Sequence, residues 1–235
     1  MTKTVMVACG VLAAAVSVSV HAQIALPKVP PTVDQILSLK RVGAPAISPD
    51  GRWVAYTVRE TNWDDNAYET EIFVADASGG APRQLTNAKK SSRSPAWSPD
   101  GSKLAFISDR TDKSQIYVIN PTAGEAEAVT SVDDGVNSFE WAPDSKRIAY
   151  TATEPKSAAV KDREKKYGEF KVVEQDYRMS QLFVIDLATK RTQPLASGPY
   201  TVGSFEWSPD GTRIAFDHRV NPSPGFGGSA DISIV

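Results

Sequence analysis

The sequence predicts an all-β chain: a β-propeller of four-stranded antiparallel blades, of which about 3.5 are present. Three observations carry this expectation. A four-residue motif recurs four times, aromatic and alanine positions recur in register with it, and short alternating apolar runs follow each copy at a period of 40–50 residues or more.

The motif reads Ser48-Pro49-Asp50-Gly51, Ser98-Pro99-Asp100-Gly101, Ala142-Pro143-Asp144-Ser145 and Ser208-Pro209-Asp210-Gly211, with Pro-to-Pro spacings of 50, 44 and 66 residues. Proline presets φ, aspartate hydrogen-bonds the backbone just beyond it, and glycine accepts a left-handed conformation, so each copy reads as a tight turn. Asp50, Asp100, Asp144 and Asp210 are therefore expected as turn caps rather than acid–base residues. Two residues before each proline stand Ile47, Trp97, Trp141 and Trp207. After each turn come Val54-Ala55-Tyr56, Leu104-Ala105-Phe106, Ile148-Ala149-Tyr150 and Ile214-Ala215-Phe216. Each unit thus opens with a β-hairpin. The tryptophans are expected between blades, and the alanine column is expected where facing blades leave room only for a small side chain.

A third strand follows in each unit, at Ile72-Phe73-Val74, Ile116-Tyr117-Val118, Leu182-Phe183-Val184 and Ile232-Ser233-Ile234-Val235. A weaker fourth follows in three units, over 83–86, 127–130 and 192–195. The expected blades are 43–88, 91–131, 135–197 and an incomplete 200–235, preceded by a lead segment 23–42 with one short helix over 33–39. Three and a half blades do not close a ring, and an open arc exposes strand edges; the sequence therefore reads as a piece of a larger protein.

The irregular spacing has one source. Strands two and three are joined by 109–114 in the second unit and by 154–180 in the third. The first half of that insert, through Lys161-Asp162-Arg163-Glu164-Lys165-Lys166-Tyr167, is expected as a charged, solvated helix. Long loops on a rigid scaffold are where function concentrates. The shorter loop's Asp109-Arg110 and Asp112-Lys113 are expected to be solvated charges.

Composition narrows the function. With 26 basic against 28 acidic residues, the chain has no electrostatic footprint for nucleic acid or an anionic membrane. Residues 1–22 combine Lys3, an apolar run from Val5 to Val20 and a small-residue end before Gln23, the grammar of an export signal cut after Ala22. A periplasmic or secreted location follows. The single cysteine, Cys9, falls in that signal, so thiol metal sites and a Cys nucleophile are not expected. No cofactor or metal site is expected, and no catalytic residue: of the two histidines, His21 leaves with the signal and His218 follows a predicted strand.

The repeat cores Trp97-Ser98-Pro99-Asp100-Gly101 and Trp207-Ser208-Pro209-Asp210-Gly211 resemble the propeller repeats shared by TolB and the prolyl oligopeptidase family of serine peptidases. Val58-Arg59-Glu60-Thr61-Asn62-Trp63, Lys165-Lys166-Tyr167-Gly168, Val173-Glu174-Gln175-Asp176-Tyr177-Arg178 and Thr201-Val202-Gly203-Ser204-Phe205 are similar to the N-terminal propeller of exported dipeptidyl and acylaminoacyl peptidases. The resemblance implies a following α/β-hydrolase domain with a Ser-Asp-His triad, and a propeller that restricts access and recognises the amino end of short peptides. No Gly-x-Ser-x-Gly elbow occurs here; Gly227-Gly228-Ser229-Ala230 is the nearest imitation. The chain alone is expected to be inactive, its partners being peptide substrates and the hydrolase domain of the same polypeptide.

Recognition of a free amine calls for a carboxylate. Glu174, Asp176 and Arg178 are the candidate substrate-binding residues, with Glu169 and Tyr177 on the same loop and Asn62-Trp63-Asp64-Asp65-Asn66 as a second candidate. Arg178 is alternatively read as a bridge to Glu174 or Asp176. The rival function is a TolB-like, non-enzymatic periplasmic propeller acting in protein–protein contacts. A TolB-like chain would carry a small α/β domain before the blades, and only about 20 residues separate the expected signal from the first blade.

Overall fold

A computed structural model describes residues 30–235 apart from 123, 171, 173–175 and 224–229. The expected export signal and the Gly227–Ser229 segment lie outside the described residues. The lead segment carries one short helix, α1 (Val33–Leu37), closed at its start by Thr32 and Gln35 bonding each other's backbone N–H.

Four antiparallel sheets follow in chain order. The first holds β1 (Arg41–Ile47), β2 (Trp53–Asn62), β3 (Ala67–Asp76) and β4 (Arg83–Gln84). The second holds β5 (Ser92–Trp97), β6 (Leu104–Ser108), β7 (Gln115–Ile119) and β8 (Glu127–Ala128). The third holds β9 (Val136–Trp141), β10 (Arg147–Thr153), β11 (Ser180–Asp186) and β12 (Thr192–Ala196), with helix α2 (Ala158–Tyr167) inserted between β10 and β11. The fourth has three strands, β13 (Thr201–Trp207), β14 (Ile214–Arg219) and β15 (Asp231–Ile234). Each sheet pairs its strands in sequence order, and the ring they begin is unclosed.

The recurring motif does the turn chemistry expected of it. Asp50 Oδ1 accepts from the Ser48 hydroxyl at 2.5 Å and Arg52 N at 3.0 Å, and Asp100 and Asp210 repeat the pattern. These donors stabilise the ionised form; at Asp210 the Ser208 hydroxyl and the Thr212 backbone and hydroxyl pull the carboxyl down to about 2. Gly51, Gly101 and Gly211 take φ near +70° (71°, 71° and 67°), and Ser145 occupies the same left-handed place at 57°.

Packing between blades explains the other columns. Ala55, Ile72 and Val74 of the first blade pack on Trp97, Leu104, Phe106 and Tyr117 of the second. Ala105 and Ile107 pack on Trp141, Ile148 and Tyr150 of the third, and Ala149 and Leu182 on Val202, Ile214 and Phe216 of the fourth. Ala55, Ala105 and Ala149 each meet the next blade's apolar face, which is why nothing larger fits there. Ala215, the fourth in the column, is exposed, as are Ile232 and Ile234 beside it and Ile47 on the first blade's outer face. Trp97 and Trp141 donate their indole N–H to Ala46 O and Ala96 O of the preceding blade, both at 3.0 Å. Trp207 breaks the pattern: it is half-buried and its buried indole nitrogen has no acceptor among the described residues.

A further repeated device was not anticipated. Glu71, Gln115 and Gln181, each one residue before the third-strand run, are buried and hold the connection into the next blade. Gln115 accepts from the Thr130 hydroxyl (2.8 Å) and Val132 N (3.0 Å) and donates to Val132 O (2.7 Å). Gln181 accepts from Gly198 N and donates to the carbonyls of Gly198 and Tyr200, while Glu71 accepts from the Thr86 hydroxyl and Ala88 N. These connections rim the face of the disc that bears the insert.

One expectation for the short loop is corrected. Asp109 and Arg110 are not simply solvated: Asp109 accepts from Arg93 Nη1 at 2.9 Å and the Ser114 hydroxyl at 2.6 Å, and Arg110 lies 4.4 Å from the Tyr117 ring centroid. A six-residue connection turns its polar ends back onto the blade, where the stacked Phe106–Tyr117 pair offers an aromatic face to a guanidinium. His218 falls inside β14 rather than after it, between Tyr200 and Phe216, with Nε2 2.8 Å from the Ser233 hydroxyl.

Candidate functional site

The insert starts as a helix for local reasons. Residues 158–167 (Ala-Ala-Val-Lys-Asp-Arg-Glu-Lys-Lys-Tyr) are mostly strong helix formers. Ser157 caps the start by accepting from Val160 N, and Gly168, at φ +85°, ends it with its N–H bonded to Glu164 O. No residue of α2 is buried, so no apolar face holds it down. Charge does that work instead.

Lys156 Nζ donates to both Glu164 oxygens at 2.9 Å and to Glu169 Oε1 at 3.2 Å, and both partners push its ammonium above the usual lysine value. Arg163 grips both oxygens of Asp176, which also accepts from Val172 N at 2.6 Å; the guanidinium and that N–H hold the carboxyl below its usual range. Arg163 also lies over the Phe170 ring, 4.9 Å from its centroid. The insert is tied to the propeller at its base. Arg178 Nε donates to Glu154 O at 2.8 Å, its Nη2 stands 3.0 Å from Asp134 Oδ2, and Glu154 Oε1 accepts from Met179 N at 2.9 Å.

Between these walls lies a cleft of about 820 Å³, bounded by Asp134 on one side and by Pro222 and Ser223 from the fourth blade on the other. Asp134, Glu154, Glu164, Glu169 and Asp176 line it against Lys156 and Arg178, so among the described residues carboxylates outnumber cations. Glu169 is the most available of them, 79% exposed with one ion-pair contact. The arrangement suits a ligand bearing a positive charge and hydrogen-bond acceptors. Among the described residues no nucleophile–base pair converges on it, and no three His, Cys, Asp or Glu side chains group as a metal site.

Of the sequence candidates, Asp176, Arg178, Glu169 and Tyr177 all reach this cleft, and Glu174 lies outside the described residues. Arg178 bridges to Asp134 rather than to Asp176, because Asp176 is already held by Arg163. The Asn62–Asn66 loop is not part of the cleft; Asn62 Oδ1 accepts from Asp64 N and Asp65 N, folding the loop on itself. Sequence reasoning missed Asp134, Glu154 and Lys156. The only available signal was their position, Asp134 just before the third blade and Glu154 and Lys156 at the start of the insert.

Comparison with known proteins agrees with this architecture. A stretch of 79 residues is 38% identical to the uncharacterized peptidase YuxL of Bacillus subtilis, covering 34% of this chain and 12% of that protein. Over 77 residues the chain is 30% identical to dipeptidyl-peptidase 5 of Porphyromonas endodontalis, covering 33% of this chain and 11% of the relative. These matches thus span about a tenth of the relatives' length. Among solved structures, the acylaminoacyl peptidase of Pyrococcus horikoshii superimposes with a TM-score of 0.59 at 20% identity, over 77% of this chain and 28% of that one. That likeness concerns the fold. The model of the TolB beta propeller domain, PD40, matches residues 32–178, more than half of the sequence, and the chain belongs to the PD40 β-propeller family.

Proposed function

We propose that this chain is the N-terminal propeller of an exported serine exopeptidase, restricting access to a separate hydrolase domain and gripping the amino end of short peptides. The observation that carries the reading is the carboxylate-rich cleft under the third-blade insert, on a propeller whose relatives are peptidases. A peptide's terminal ammonium pairs with a carboxylate, and the pair strengthens where water is partly excluded. Glu169 and Glu174 are the carboxylates assigned to the amine. Asp176 and Arg178 hold the wall from which Glu169 reaches the cleft, and Arg178 is assigned to orient the first peptide carbonyl. The chemical step, serine attack with a histidine base and a stabilised oxyanion, belongs to the hydrolase domain.

The test uses the full-length enzyme. Glu169→Gln and Glu174→Gln are expected to lower kcat/KM on free-amine peptides roughly ten- to a hundredfold, the worth of a charge-assisted hydrogen bond, and to leave N-acetylated peptides far less affected. Equal losses on both would count against amine recognition. The family's TolB connection keeps a second reading, a non-enzymatic envelope propeller; a full-length protein without hydrolase activity on any peptide would favour it.

A further inference from the structure

The charged cleft is not alone. A second hollow, of about 350 Å³, lies between the connection 131–134 and the third blade and shares Asp134, Thr153, Glu154 and Pro155 with it as a common wall. The two differ in chemistry. The second hollow is walled by Val132, Tyr150, Ala152, Pro155 and Phe183, with carboxylates from Asp133, Asp134 and Glu154. It is also preformed: Tyr150 and Ala152 are 3% exposed, Phe183 stacks on Tyr150 with centroids 5.5 Å apart, and Val132 is pinned through both its N–H and its carbonyl by Gln115. Pockets of this size lined by apolar groups with a few polar ones are the usual form of a specificity site.

We propose that this hollow receives an apolar side chain from the first residue of the same peptide whose amine sits in the charged cleft. The proposal rests on the amine reading above. A first residue carries its ammonium and its side chain on one carbon, so two pockets with a common wall, one acidic and one apolar, match the two groups it presents. The Asp134–Arg178 pair stands at that wall. The surrounding carboxylates add discrimination by repelling an acidic side chain. The substrate class is therefore a short peptide beginning with a bulky apolar residue, rather than glycine, aspartate or glutamate.

The experiment uses the full-length enzyme and eight peptides, beginning with Leu, Phe, Trp or Gly, each with a free or an acetylated amine. The wild type should favour Leu over Gly by about tenfold or more in kcat/KM. Val132→Trp, filling the hollow from its half-buried rim, should bring the Leu-to-Gly ratio close to one. Val132→Ala, which enlarges it, should shift preference toward Phe and Trp, and keeps the test decisive if the tryptophan variant fails to fold. A Leu preference that survives Val132→Trp, or no shift with Val132→Ala, overturns the proposal. The amine reading fails separately: if acetylation changes neither rate while Val132→Trp still abolishes the Leu preference, the apolar site stands without it.

Discussion

Truncating Gln115 to alanine should unfasten the connection that leads from the second blade into the third. The side chain is 6% exposed and satisfies three groups at once: the Thr130 hydroxyl, the Val132 N–H and the Val132 carbonyl. A buried polar group left unpaired costs about 1–3 kcal/mol. Water reaches half-buried Val132, so the low end applies, and three bonds at about 1 kcal/mol each give about 3 kcal/mol. If the loss is spent on local opening, exchange of the amides around Val132 should quicken roughly a hundredfold. Hydrogen-exchange mass spectrometry on a peptide covering 128–135 of the full-length protein reads this directly. Exchange within about threefold of wild type would refute the reasoning, because it would mean the side chain fastens nothing. Gln115→Glu is the informative companion. It retains the two acceptor roles and loses the bond to Val132 O, so it should fall between wild type and alanine.

Other predictions follow from the same geometry. Glu71 occupies this column with a carboxyl whose pKa burial pushes above the usual glutamate value, against the opposing hydrogen bonds from Thr86 and Ala88. A raised folded-state value means stability is fullest below the unfolded value and is lost as pH rises through the folded one, so Glu71→Gln should stabilise at neutral pH and do so progressively less toward pH 4; a pH-independent difference in denaturation midpoint would contradict it. Asp210 should titrate near pH 2 by NMR, the stability linked to its turn contacts being full above the ordinary 3.8 and lost as pH falls from there through about 2; a midpoint near 3.8 would show the Ser208 and Thr212 bonds are not kept. Arg163→Ala frees Asp176 and should speed proteolysis of the insert about 154–180 without altering the blades, as limited trypsin digestion would show. A protein containing only 23–235 exposes Ile47, Ile232 and Ile234 at 66–79% and should self-associate; a monodisperse monomer by light scattering would argue otherwise.

The blades were legible because their signals are local and repeated. Pro-Asp-Gly fixes a turn by its own chemistry, and the alternation around it needs no partner to be read. The alanine and tryptophan columns were legible through repetition, since one alanine says nothing and four in register imply a shared neighbour. The Glu71, Gln115 and Gln181 column repeats as faithfully. Buried polar side chains look like surface residues in a sequence, and only the bonds to Thr86, Thr130 and Gly198 reveal their task. The insert's length announced a functional loop, and its first-half helix followed from composition. Its pairing did not: that Asp176 answers Arg163, and Arg178 answers Asp134 from the connection into the third blade, depends on where distant segments meet. Asp134 and Arg178 are 44 residues apart, and no periodicity links them.

The most direct test of the central claim is to express the full-length gene product, incubate it with a mixture of free-amine peptides and their N-acetylated counterparts, and sequence the products by mass spectrometry. Removal of one or two residues from the amino end, favouring free amines, is the predicted result. Cleavage at internal bonds irrespective of the amine, or no cleavage at all, would contradict a propeller that recognises peptides by their amino end.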